Sequence, residues 1–128
     1  MTDGCKILIV EDQMLIALDL ERLIAGMDYQ VCGIARTRTE ALRLAEEHRP
    51  DLVVMDVRLA DGSDGIAAAR ELRQSFGIAA LLISGQIDAA QAEQAEASSF
   101  LRKPFEARQL RRAIADALRD RPEPVPEA

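Results

Sequence analysis

Asp56 closes a short apolar run, Leu52-Val53-Val54-Met55, and a second run, Ile7-Leu8-Ile9-Val10, closes on the paired acids Glu11 and Asp12. Runs of four or five such residues read as strands buried on both faces, the pattern of parallel sheets. Parallel strands point the same way, so all three carboxylates emerge at one edge, where ligands of open α/β sheets bind. Crowded there, they repel one another by roughly 4 kcal/mol per pair at 4 Å with an effective dielectric near 20. A divalent cation relieves that repulsion, and hard carboxylate oxygens are the ligands Mg²⁺ takes. A carboxylate beside Mg²⁺ can attack phosphorus and form an acyl phosphate.

Two more strand ends supply the rest of such a site. Ile78–Ile83 ends at Ser84-Gly85, and Ser99–Arg102 ends at Lys103-Pro104. The Ser84 hydroxyl would donate to one phosphoryl oxygen, and Lys103 would present a compact cation to another. The strand over Gln30–Ala35 runs into Arg36 and offers no obvious chemistry. The other four ends fit a single event, the transfer of a phosphoryl group to Asp56.

The elements that must hold these residues alternate along the chain. After a first strand over 6–10, Ile16, Leu20, Leu23 and Ile24 recur at helical spacing, which predicts a helix from Gln13 to about Ala25 with Gly26 as its stop. Thr37 or Thr39 can cap a second helix running to about His48, with Ala41, Leu42 and Ala45 inward and Pro50 beyond its end. Asp61, Gly62, Ser63 and Gly65 are turn formers, and a third helix is expected from about Asp64 to Ser75. Residues 88–97, rich in Ala, Gln and Glu, carry the weakest helical signal; Glu106 to about Arg119 gives the last helix. Five strand-helix units imply a doubly wound α/β fold with a parallel sheet covered on both faces. The domain is expected over 1–120, with a disordered Pro-rich acidic tail at 121–128.

Composition narrows the function. The 128 residues suffice for one core, 48% of them are hydrophobic, and the formal charge is −6. An acidic chain with 3% aromatic residues and no Trp suits neither a DNA-binding surface nor a stacking platform for single strands. Cys5 and Cys32 are not in a CxxC pair and read as free thiols. No stretch resembles a signal peptide or reaches the roughly 20 apolar residues of a membrane span, so the expected location is cytoplasmic. His48 is the only histidine, which rules out a Ser-His-Asp hydrolase and a multi-histidine metal site. Arg108, Arg111, Arg112, Arg119 and Arg121 give the last helix a basic face, either simply solvated or a docking surface.

Glu11-Asp12, Asp56, Ser84 and Lys103-Pro104, in that order at strand ends, resemble the receiver domain of two-component response regulators. The similarity runs from about Lys6 to Leu118 and includes Asp56-Val57-Arg58-Leu59-Ala60-Asp61-Gly62 with Gly65, and Phe100-Leu101-Arg102-Lys103-Pro104-Phe105. The resemblance implies a flavodoxin-like (βα)5 fold with strand order 2-1-3-4-5. It implies Asp56 as phosphoacceptor, Ser84 and Lys103 as its catalytic partners, and a sensor histidine kinase or histidine phosphotransfer protein as donor. It further implies Mg²⁺ held by Glu11, Asp12, Asp56 and the backbone carbonyl of Arg58. Ser84 and Phe100 would form a switch, Phe100 moving inward as Ser84 swings toward the phosphoryl group; a plain core phenylalanine is the alternative. The Lys103-Pro104 bond is expected to be cis.

Ser84 and Lys103 are 19 positions apart, fewer than in the commoner receivers, so the fourth helix should be about a turn shorter or irregular. That shortening is similar to receivers of alphaproteobacterial general-stress regulators and leaves the downstream target open. A terminal regulator, a relay intermediate and a fragment of a larger regulator or hybrid kinase all fit, as does a pseudo-receiver that binds partners without phosphorylation. A turnover enzyme fits poorly. Glu11-Asp12 stand where a flavin phosphate loop would lie, Arg58 stands where a dehalogenase-type phosphatase has a second aspartate, and no P-loop or GxGxxG is present. Arg58 and Gln86 are expected to set the lifetime of an acyl phosphate by gating water.

Overall fold

The computed structural model describes residues 5–59, 64–85 and 89–120. The turn expected at Asp61, Gly62 and Ser63, the gating role of Gln86 and the tail at 121–128 lie outside the described residues. In chain order the elements are β1 (Lys6–Val10), α1 (Met14–Ala25), β2 (Gln30–Ala35), α2 (Arg38–His48), β3 (Leu52–Asp56), α3 (Gly65–Phe76), β4 (Ala79–Ser84), α4 (Ala89–Gln94), β5 (Ser99–Arg102) and α5 (Ala107–Arg119). The strands form one sheet in the order β2-β1-β3-β4-β5, every pairing parallel.

The apolar runs of β1, β3 and β4 split by alternation between two cores. Leu8, Val10, Val53, Met55, Ala80 and Leu82 face Ala41, Ala45, Ile66, Ala69 and Leu72 of α2 and α3. Ile7, Ile9, Leu52, Val54, Leu81 and Ile83 face Ala17, Leu20 and Ile24 of α1 and Leu110, Ile114 and Ala117 of α5. Strands flanked on both sides by other strands and covered on both faces have no exposed surface, which is why their sequence is continuously apolar.

Helix ends follow local chemistry. The Thr37 hydroxyl accepts the Glu40 N–H at 3.1 Å, and Glu40 Oε1 accepts the Arg36 N–H at 3.1 Å, a reciprocal cap for α2. Asp64 Oδ1 accepts the Ile66 N–H at 2.8 Å and starts α3; Gly77, at φ 68°, ends it. Helix α4 is shorter than the 88–97 that composition suggested. It stops at Gln94, and Glu96 turns left-handed at φ 56°. There its carboxylate meets Gln74 Nε2 at 2.8 Å and Arg70 Nε at 3.5 Å, while Arg73 Nη1 donates to its carbonyl at 3.0 Å. Contacts between α3 and Glu96 thus accompany the end of this helix, just past which Ala95 is fully buried. The Lys103-Pro104 bond is cis, and both cysteines are free.

Candidate functional site

Strand register brings the sequence-predicted residues together. Val10 pairs with Met55, so Glu11 and Asp56 extend past the same rung of adjacent strands. Asp56 in turn pairs with Ile83, and Ser84 with Arg102, which sets Ser84 and Lys103 one residue beyond. Backbone bonds fix those positions: Glu11 N–H to Ala35 O at 2.9 Å, and Lys103 N–H to Ser84 O at 2.9 Å.

One carboxylate oxygen from each of Glu11, Asp12 and Asp56 lies within 4.8 Å of the other two. Lys103 Nζ stands 3.5 Å from Glu11 Oε1 and 3.7 Å from Asp56 Oδ2, long contacts that leave its ammonium aimed between the two acids. The Arg58 N–H donates to Asp56 Oδ1 at 3.2 Å, and the Gln13 N–H to Glu11 Oε2 at 3.2 Å. Asp12, Gln13, Asp56, Arg58, Ser84, Gly85 and Lys103 line an open pocket of about 420 Å³. Glu11 is the only buried charged residue among those described. Burial, together with the neighbouring Asp56 carboxyl, pushes its carboxyl up to about 7. Such a group is short of positive charge, and hard oxygen donors at this spacing fit a small divalent cation.

Gly65 explains how α3 can start so near the acceptor strand. A Cβ there would come 2.1 Å from the Asp56 carbonyl oxygen and 2.9 Å from Val57, so only glycine permits the approach. Its N–H donates to Val57 O at 2.8 Å. Sequence reasoning read Gly65 as a turn former and did not single out Gln13 or Gly85. Direct succession to Asp12 and Ser84 was the available signal. Phe100 is 43% exposed on β5 and is not part of the pocket lining; the plain core phenylalanine is thereby corrected.

A family model for the response regulator receiver domain matches residues 7–115. This chain belongs to that family. It is 40% identical over 115 residues to the phyllosphere-induced regulator PhyR of Methylorubrum extorquens, covering 88% of this chain and 43% of PhyR. It is 31% identical over 117 residues to the chemotaxis protein CheY of Bacillus subtilis, covering 88% of this chain and 97% of CheY. The solution structure of the receiver domain of Erythrobacter litoralis PhyR superposes with a TM-score of 0.84 at 30% identity, covering 98% of each chain. The chain spans about half the length of some curated relatives it matches, 43% of PhyR and 54% of the Mycobacterium tuberculosis regulator PdtaR. As a receiver it is a phosphoaccepting signalling domain of two-component systems. No helix of the described residues is long and apolar enough to cross a membrane.

Proposed function

We propose that Asp56 is the residue that takes the phosphoryl group, from a sensor histidine kinase or a histidine phosphotransfer protein. The observation that carries this reading is the convergence of the Asp12 and Asp56 carboxylates and the Lys103 ammonium on one open pocket, with an oxygen of the buried Glu11 within 4.8 Å of both acids. An Asp56 oxygen attacks phosphorus, and the donor's imidazole nitrogen leaves with the bonding pair. Lys103 holds one equatorial oxygen and the Ser84 hydroxyl another, so that charge is met where it gathers. Asp12, Asp56 and the Arg58 carbonyl, with Glu11, would hold Mg²⁺, which when bound would neutralise part of the charge on the phosphoryl oxygens. Arg58 and Gln86 govern water access and thereby the lifetime of the adduct. Self-phosphorylation and autodephosphorylation are the extent of its catalysis; it turns over no external metabolite.

Helix α1 supports the assignment of the donor as a protein. Met14, Leu15 and Leu18 are 47%, 84% and 47% exposed on the helix that begins beside Gln13 at the pocket. An apolar cluster left in water at the rim of a reaction site marks a contact surface. A histidine-bearing donor covering this rim would reach Asp56 directly. Output passes through protein contacts to a downstream target, with Ser84 and Phe100 as the switch. The domain spans 1–120 and works in the cytoplasm.

Intact mass after incubation with Mg²⁺ and acetyl phosphate tests the reading. One adduct is expected on wild type, absent from Asp56→Asn and absent without Mg²⁺. An adduct that persists in Asp56→Asn, or none from either acetyl phosphate or a panel of histidine kinases, sinks it in favour of a phosphorylation-independent binding module.

A further inference from the structure

Helix α1 begins unlike its neighbours. Thr37 and Asp64 accept N–H groups in the first turns of α2 and α3, and Gln109 accepts the Glu106 N–H at the start of α5 at 2.7 Å. Gln13 holds the corresponding position for α1, and its side chain caps nothing. Its backbone is fastened on both sides, the N–H to Glu11 Oε2 at 3.2 Å and the carbonyl oxygen to the Ala17 N–H at 2.9 Å. The side-chain amide has no hydrogen-bond partner among the described residues, and the residue lines the pocket that holds Asp56. Ser, Thr, Asp or Asn at this position would stabilise the helix. Glutamine forgoes that stabilisation and leaves a firmly rooted amide at the rim of the site.

Gln13 and Ser84 bear the only uncharged polar side chains among the residues that line the pocket. In the proposed reaction the Ser84 hydroxyl serves a phosphoryl oxygen. An amide oxygen accepts a hydrogen bond without bringing a charge. A carboxylate there would repel the incoming phosphoryl group, and a cationic side chain could not accept. The site thus holds cations for phosphoryl oxygens and one neutral acceptor, for which phosphoryl oxygens, being acceptors themselves, have no use.

A histidine donor has a use for it. One ring nitrogen carries the phosphorus, and a proton on the other lets the ring leave as neutral imidazole rather than as an anion. A hydrogen bond to that second nitrogen fixes its proton and the orientation of the ring. We infer that Gln13 Oε1 accepts this N–H and so makes the site prefer phosphoryl groups carried on imidazole over acyl phosphates. As the bond from the Asp56 oxygen to phosphorus forms, the N–P bond breaks and its electron pair returns to the ring nitrogen. The proton stays on the other nitrogen, beside Gln13. Met14 and Leu15 follow Gln13 directly and are exposed, so a protein resting on them lies against this rim. The inference deepens the reading of Asp56 as acceptor and rests on it.

The test compares two small donors, monophosphoimidazole and acetyl phosphate, on the full chain with Mg²⁺, following the adduct by intact mass over time. Only the first has a ring N–H to offer. The quantity read is the ratio of the two rates, in which any loss of folded or metal-loaded protein cancels. Gln13→Met keeps the length of the side chain and removes the acceptor; the ratio should fall about tenfold, the worth of one hydrogen bond to a charged donor. Gln13→Glu retains an acceptor oxygen, and although its charge slows both donors it should restore the ratio. An unchanged ratio in Gln13→Met overturns the inference, since a glutamine acting through its N–H on a phosphoryl oxygen, or merely shaping the pocket, would slow both donors alike. Failure of Gln13→Glu to restore the ratio overturns it too. In both cases the adducts on wild type leave Asp56 as acceptor untouched, whereas no adduct from either donor, or from histidine kinases, removes that reading and this one together.

Discussion

Strands β1, β3 and β4 change character over a single residue. Val10 and Met55 are at most 1% exposed and Ile83 is 2%, whereas the next residues are Glu11, Asp56 and Ser84. The interior positions ask only for branched apolar volume, and swaps that conserve volume there cost under about 1.5 kcal/mol. The terminal positions ask for one functional group each at one place. The fold is therefore written redundantly and the site is not, although the same strands carry both.

The sharpest way to break that contrast is Asp56→Asn. It should abolish the phosphoryl adduct completely, yet leave the unfolding temperature unchanged or higher, because it removes one charge from a repelling cluster. Mass spectrometry and thermal melts check the two halves. Conversely Leu82→Ala, fully buried on β4 two residues before Ser84, should lower stability by about 2–5 kcal/mol. Urea denaturation reads that loss, and the fraction still folded should remain able to accept phosphate.

A third outcome concerns Glu11, which belongs to both regions by being buried and charged. Its carboxyl is raised from 4.5 to about 7, so between those values the folded protein holds a proton that the unfolded chain has released. Stability of the metal-free protein should then fall as pH rises from about 4.5 to about 7. Over the same window Mg²⁺ affinity should rise, by up to about tenfold per unit, because the cation displaces that proton. Calorimetry at several pH values in two buffers would detect the released proton; a pH-independent affinity would contradict this. The smallest effect belongs far from the site. Thr37→Ala removes the cap on α2 and should cost about 1 kcal/mol with no change in phosphorylation.

The contrast also explains what could be read from sequence. Strand bounds came within a residue because β1, β3 and β4 are apolar without interruption and end on charged or hydroxyl residues. Thr37 and Gly77 sit where their chemistry is needed, and α2 and α3 end within a residue or so of expectation. Helix α4 was not legible in full. Its end is set by Arg70, Arg73 and Gln74 reaching across from α3 to Glu96, residues more than twenty positions away with no local signature. The exposed cluster on α1 was hidden for a different reason. Met14 through Leu18 is apolar all round, so helical period alone does not say which members face water. The five residues of the site were legible because each stands at or just past a strand end, while Gln13 and Gly85 merely follow them.

The antiparallel bridge between Arg58 and Asp64, with the Gly65 N–H on the Val57 carbonyl, fastens the chain on either side of residues 60–63 together beside Asp56. A loop whose ends are already fastened lengthens cheaply, each doubling adding only about 0.6 kcal/mol of closure entropy. Residues inserted between positions 60 and 63 would load that clasp rather than the strand behind it. The clasp is thus a natural place to graft a dye-bearing peptide beside Asp56 without disturbing the sheet.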